Sequence, residues 1–330
     1  MYNEEDLESA IEAKVFNKED VAAFRRHVAQ RKGMPAVDEE HFRLVTGFND
    51  IFVVIACMLL LASVAWIGST LAPWMASVSI TITAWALAEF FVRKRRMALP
   101  AIVLLLAFVG GAFTTGPMLL GQASESVILG SIIAAIAAWL HWRRFQVPIT
   151  VAAGAAAVAG IAMATLFYAF PEAVTWAHLI AFIAGIVIFT LAIHWDARDT
   201  TRQTRKSDVA FWLHLLAAPL LVHPIFTSLD VFGGQTSLGQ AIPVLALYVV
   251  IALISLLIDR RALMVSALGY VLYAFSSLLE LYGLVSLSFA ITALVIGIAL
   301  LLLSAYWHPC RHFILNYVPE AVQKRLAPLR

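Results

Sequence analysis

From Phe48 to Trp307 the chain carries one long apolar stretch after another, and its cations fall only in every second interval between them. A helix needs roughly 20 apolar residues to cross a bilayer core. Spans are therefore expected at 48–71, 74–92, 98–120, 126–142, 147–169, 174–195, 209–229, 241–258, 262–280 and 284–307, joined by short links as between antiparallel neighbours. The basic links are Arg93-Lys94-Arg95-Arg96, Arg143-Arg144, Arg198 through Lys206, and Arg260-Arg261. With ten spans these links, the first 47 residues and the tail after Trp307 share one side, which then holds all 23 Lys and Arg. The opposite links carry Glu125, Glu172, Asp230 and Glu280 instead. Lys and Arg mark the cytosolic side, so both termini are expected in the cytosol. A nine- or eleven-span threading breaks this segregation.

Composition agrees with lipid as the solvent. Of the 330 residues 62% are hydrophobic and 13% charged, against about 45–50% and about 25% in soluble domains. The expected fold class is all-α, a polytopic membrane helix bundle of about ten transmembrane helices. The net charge of +2 says little as a total; its placement carries the argument. Cys57 and Cys310 have no partner at disulfide or zinc spacing. The first 47 residues are rich in charge and lack an apolar signal-peptide core, so the first span is expected to act as its own insertion signal.

Three regions follow. Residues 1–47 read as a cytosolic helical element: Asn3 and Asn17 stand where helix caps are favoured, and Leu7, Ile11 and Val15 form one stripe. Val21, Phe24 and Val28 form another. Too short for a core of its own, this element is expected to dock on a protein partner or the membrane domain. Its Arg25 and Arg26 belong to no larger basic surface, which argues against nucleic acid. Residues 48–307 form the ten-span domain, and 308–330 an amphipathic tail on the cytosolic leaflet, with Pro319 opening a last short helix.

Within the membrane domain, Asp50 and Asp208 open corresponding spans. Trp139, Arg143 and Phe145 match Trp307, Arg311 and Phe313 at a constant offset of 168. A parallel 4+4 internal repeat is expected, with 48–145 as its first copy, 208–307 as its second and 146–207 as an inserted hairpin. The competing reading is that hairpins ordinarily end on an aromatic and a basic residue at the interface.

Candidate functional residues are few. Gly110, Gly111, Gly116 and Pro117, with Thr114 and Thr115 between, suggest a helix break in the third span, where transporters often bind substrate; a packing kink is the plainer alternative. In the fifth span Ala152, Ala156, Gly160 and Ala164 make a smooth face, expected inside the bundle. His214 and His223 lie nine residues apart on one span, interrupted by Pro219 and Pro224. His178, His223, Asp230, Glu125 and Glu280 could border an outer vestibule. Asp50, Glu89, His194, Asp196, Asp208 and His214 form a second set near the cytosolic side. Each histidine is weighed against a neutral ring bonded to a backbone carbonyl, each aspartate against a helix-capping role, and Glu89 against a simple i, i+4 pair with Arg93. His308 and His312 have metal-like i, i+4 spacing but no companion carboxylate, so no metal or other cofactor is expected.

The stretches DEEHFRLVTGFNDIFVVIACMLLLASVAW, Asp38 to Trp66, and SDVAFWLHLLAAPLLVHPIF, Ser207 to Phe226, resemble uncharacterised bacterial multi-pass membrane-protein families. Those families set a brief cytosolic helical segment before a many-span domain of unknown function. The resemblance implies a bacterial inner-membrane location and carries no activity, cofactor or catalytic residue. Three functions compete. The first is a transporter or solute-permeation protein for a small molecule or ion, with His214, His223, His178, Asp50 and Asp208 as substrate or proton pathway. The second is a membrane scaffold or sensor that signals to a cytosolic partner through residues 1–47. The third is a membrane-embedded enzyme acting on lipid. No metalloprotease HExxH, phosphate-binding Gly loop or serine elbow is present, which places the enzyme last.

Overall fold

A computed structural model describes residues 48–121, 124–200, 202, 204–228, 238–281 and 288–319, with isolated positions before 25 and after 319. Met1–His41 and Phe42–Leu329 form separate compact units. In the first, the described residues at 7, 9–11, 19–21, 23 and 24 are helical, with a turn between. The Asn17 N–H donates to the Asp20 carboxylate at 3.4 Å and the Asn17 carbonyl accepts from Val21. This is half of a capping box at the position expected to start a helix.

The second unit is a succession of helices, and among the described residues every regular element is helical. They are α1 Phe48–Leu71, α2 Pro73–Ala88 closing in a π-helical turn over Glu89–Lys94, α3 Ala98–Leu120, α4 Ser124–Phe145 and α5 Ile149–Ala169. After a 3-10 turn at Pro171–Trp176 come α6 Ala177–Ala197, α7 Arg205–Ser228, α8 Leu238–Ile258, α9 Ala262–Leu281, α10 Ser288–Ala305 and α11 Trp307–Leu315. Seven are long and apolar enough to cross a membrane, from Phe48–Leu71 through Arg205–Ser228. The α10–α11 pair raises the number to eight if counted as one bent span. Over their described side chains α8 and α9 contribute shorter apolar stretches, Ile242–Ile258 and Ala262–Ser276.

The long helices carry apolar side chains on inward and outward faces alike. Leu61, Leu104, Leu213 and Phe226 are buried, while Phe52, Trp66, Val187 and Leu301 stand exposed. A water-soluble bundle shows a polar outer face, and an outward apolar face of this extent needs a hydrophobic surround.

Packing is organised around α3, α7 and α9. The third helix packs on α1, α2 and α4, and α9 packs on α7, α8 and α10. Half of the apolar window of α7 is buried, against 22% for α5. Thus α7 occupies the interior position expected of the small-residue helix, because two apolar clusters close on it. Ile188, Ala192, Leu213 and Ala217 join it to α6, and Val222, Phe226, Ala267 and Val271 join it to α9. The smooth face of α5 instead meets α4, where a methyl on Gly160 would stand 3.0 Å from Ser131 Oγ. Ala156 of that face is exposed. Residues 146–207 do not close into a hairpin, since α5 packs chiefly on α4 and α6 on α7. The six residues of the 3-10 turn separate the pair.

Two further expectations are corrected. The third span is not interrupted at Gly110, Gly111, Gly116 or Pro117: α3 runs unbroken to Leu120. Pro117 lies in its last turns, where only the Phe113 carbonyl loses its N–H partner, and that carbonyl lies against Gly130 of α4. Thr114 and Thr115 both donate to the Gly111 carbonyl at 3.0 Å. The glycines serve close approach: a methyl on Gly111 would stand 2.6 Å from Thr81 Oγ1, and one on Gly116 2.4 Å from Gly130 N. The last span does not continue to Trp307, because the chain bends by 69° between α10 and α11. In α11, Trp307, Arg311 and Leu315 are buried and Phe313 is exposed, as is Tyr317 just beyond it, so the tail's amphipathic segment docks one face on the bundle. Trp139, paired with Trp307 by the repeat, is exposed under the Arg143 guanidinium. Of the helix expected from Pro319 only single positions are described: Gln323 is helical, and its N–H donates to the Pro319 carbonyl at 3.1 Å.

Candidate functional site

The basic ends of the helices converge in pairs. At the end of α2, Glu89 accepts from Arg144 of α4 at 2.6 and 3.0 Å and from Arg93 at 3.3 Å, all partly exposed. A denser network joins the ends of α6, α7, α8 and α11. It is built from three local devices.

The first is the α6–α7 link. Asp199 accepts from the Thr204 N–H at 2.8 Å and its hydroxyl at 2.6 Å. Thr204 Oγ1 accepts from the Lys206 N–H, capping α7. Asp208 therefore stands inside the first turn of α7, where a carboxylate complements the helix dipole, rather than at the cap. The closed link, with Arg202 at φ 53°, turns the Arg202 guanidinium onto the end of α8. There it donates to the Ile258 and Asp259 carbonyls at 3.3 and 3.1 Å, two acceptors the helix leaves open.

The second device is the end of α8. Asp259 takes the left-handed position after the helix, φ 60°, and the Arg260 N–H donates back to the Ser255 carbonyl at 3.0 Å. This termination points Asp259 and Arg260 to different partners. Asp259 Oδ2 accepts from Arg202 at 2.9 Å and lies 3.5 Å from Arg311, and Oδ1 accepts from Trp307 Nε1 at 2.8 Å. Arg260 grips Asp196 of α6 at 2.6 and 3.3 Å, and Ser207 Oγ and carbonyl at 3.0 and 3.2 Å.

The third device is His214 on α7, with no exposed surface, whose Nε2 lies 2.9 Å from Asp196 Oδ2. As Asp196 accepts, Nε2 carries the proton. Nδ1 has no partner among the described residues. Arg202, Asp259, Arg260 and Arg311 are each less than a tenth exposed. Burial, then the neighbouring Arg260 charge, pushes Arg202 down to about 10 against the pull of Asp259 and Asp196. It stays cationic at neutral pH. Breaking one partner from such a buried pair leaves an uncompensated charge.

Nine residues further along α7, His223 is hydrogen-bonded through Nδ1 to the Tyr270 hydroxyl of α9, and its ring lies 5.9 Å from that of His178. The structure thus brings His178 together with His223, and Asp196 together with His214. His214 and His223 stay roughly 13 Å apart along the helix. Asp50 is buried in the first turn of α1. Glu125 bonds Tyr168, while Asp230 and the side chain of Glu280 lie outside the described residues. No three His, Cys, Asp or Glu converge on a metal-sized site among the described residues. Sequence reasoning missed Arg202, Arg260, Arg311 and Trp307, which it used only as markers of topology and repeat, and it did not single out Asp259. The acid embedded in the basic link, Asp259 before Arg260-Arg261, was a usable signal; nothing singled out Tyr270.

The fold and site define a class: an all-α chain with, among its described residues, seven or eight helices able to span a bilayer, compatible with an integral membrane protein, whose link charges pair inside the protein. No family model, curated protein or solved structure matches this chain.

Proposed function

We propose that the chain is a transport protein of a bacterial inner membrane, with ten crossings and both termini cytosolic, and that the buried ion network latches its cytosolic side. On this reading α8 and α9 cross as well, and α1–α4 repeat as α7–α10. In support, the third helix of each set, α3 and α9, packs on the first, second and fourth of its own set. The cytosolic assignment follows from the cations gathered at the network end.

One observation carries the transport reading. His214, fully buried in the most buried of the long apolar helices, shares the Asp196 carboxylate with Arg260 of the α8–α9 link. A second proton on His214 adds charge beside Arg260 and tightens the hold of α7 on Asp196 at the expense of Arg260. Protonation is thereby converted into a changed grip between α6 and the α8–α9 link. His223, with His178 and Tyr270, supplies a second titratable group toward the other end of the same helix. Intramembrane ionisable groups with partners on other helices mark ion pathways.

The test is proton movement into proteoliposomes loaded with a pH-sensitive dye under an imposed pH gradient. Wild type is expected to conduct, and His214→Ala and His223→Ala to slow the signal. Equal rates in all three, matching protein-free vesicles, remove the proposed role.

A further inference from the structure

Beside the network, and sharing Trp307 with it, a cavity of about 170 Å³ opens between α8, α9 and α10. Its walls are Tyr248 of α8, Met264, Val265 and Leu268 of α9, and Leu300, Leu303 and Ser304 of α10. Val265 is 64% exposed, so the cavity opens on the outer surface of the bundle. At its basic end stand Arg261, from the α8–α9 link, and Trp307, with the guanidinium 4.7 Å over the indole ring. We propose that this cleft holds an acyl chain of an anionic phospholipid of the cytosolic leaflet, with the headgroup phosphate on Arg261.

The volume would admit on the order of ten waters, but a water needs two to four polar partners, and apart from the Tyr248 and Ser304 hydroxyls these walls are apolar up to Arg261. A cleft with such walls on the surface of a membrane-spanning helix pair is filled by hydrocarbon. The cation supplies the second half of the recognition. A guanidinium at the headgroup level forks onto a phosphate, and it stands in a link whose cations are those expected on the cytosolic face. Trp307 joins the cleft to the latch, because its ring lies under Arg261 while its Nε1 donates to Asp259. A lipid seated on Arg261 therefore braces the joint between α11 and the ion network. The proposal rests on the membrane-spanning reading and is independent of transport.

The experiment uses the full chain in phosphatidylcholine vesicles containing a trace of either phosphatidylglycerol or phosphatidylcholine with a photoreactive diazirine on the acyl chain. Cross-linked residues are mapped by mass spectrometry. Phosphatidylglycerol is expected to label residues 264–268 and 300–303 about fivefold more than phosphatidylcholine does. That factor corresponds to about 1 kcal/mol for one cation near an anionic headgroup. Arg261→Gln is expected to abolish the excess. Leu268→Trp, which fills the cleft and leaves Arg261 in place, is expected to lower labelling by both lipids there. Equal labelling by the two lipids in the wild type, or labelling of other helices only, overturns the proposal and leaves the membrane reading standing. An excess erased by added inorganic phosphate makes this a free-anion site and overturns the lipid assignment. Absence of label anywhere on the chain overturns the membrane reading as well.

Discussion

Asp259 holds a left-handed backbone and accepts from Arg202 and Trp307 with Arg311 close by, so two effects act in opposite directions on its replacement. A non-glycine residue in that conformation costs about 1–2 kcal/mol, which Asp259→Gly relieves. Removing one partner from a buried ion pair costs about 3–5 kcal/mol, which is larger. Both Asp259→Gly and Asp259→Asn are therefore expected to lower the thermal unfolding midpoint of the detergent-solubilised protein. The glycine variant relieves the backbone but loses every acceptor for Arg202 and Trp307, whereas the asparagine variant keeps one amide oxygen that can accept from either. An unchanged or raised midpoint for Asp259→Gly means that the carboxylate contributes no more than the roughly 1–2 kcal/mol of backbone cost that glycine relieves. Removing Arg202 as well, by Arg202→Met in the Asp259→Asn background, should recover part of the loss, because the stranded cation goes with it.

At the scale of elements, close helix contact in this bundle depends on where glycine is placed rather than on how often it occurs. Three glycines of α3 make the comparison within one helix. Gly110 has open space where a methyl would go, Gly111 faces the Thr81 hydroxyl at 2.6 Å and, at 3.0 Å, the Ser77 carbonyl, and Gly116 faces the backbone of Gly130 on α4 at 2.4 Å. A side-chain hydroxyl can rotate away; a backbone cannot. Gly116→Ala is expected to force α3 and α4 apart at a cost of about 1–3 kcal/mol, whereas Gly110→Ala is neutral or stabilises by up to about 1 kcal/mol through helix propensity. Thermal unfolding of the two single variants side by side checks this. Equal midpoints would falsify the close α3–α4 contact. The same contact explains why Pro117 leaves α3 unbroken: the carbonyl it frees is covered by Gly130 instead of opening the helix.

Across the whole molecule, the threading through the bilayer carries the most consequences. Arg95 and Arg205 lie in links assigned to the cytosol, and Glu172 in a link assigned to the opposite side. In a background with Cys57→Ser and Cys310→Ser, Glu172→Cys is expected to react with an impermeant maleimide in intact cells. Arg95→Cys and Arg205→Cys should react only after permeabilisation. Reaction of either arginine position in intact cells would reverse the orientation, detaching the latch and the lipid cleft from the cytosolic leaflet.

The run of helices is legible in the order of residues alone, because a bilayer imposes a minimum length on each apolar stretch and a cost on each misplaced cation. Most helix ends fall within a few residues of their expected bounds, with α1 at 48–71 and α3 at 98–120. The sites are legible only in part. His214 and Asp196 stand in one expected set and His178 and His223 in another, since residues at like depth on neighbouring spans can meet. What brings Asp259 to Arg202, 57 residues earlier, and to Trp307, 48 residues later, is the turn that ends α8 and the bend that begins α11. Local composition determines depth in the membrane, whereas the neighbours of a side chain are set by how whole helices pack. The spacing of charges along the chain therefore carries the side proposed for each, and only the packing of α6, α7, α8 and α11 decides which of them pair.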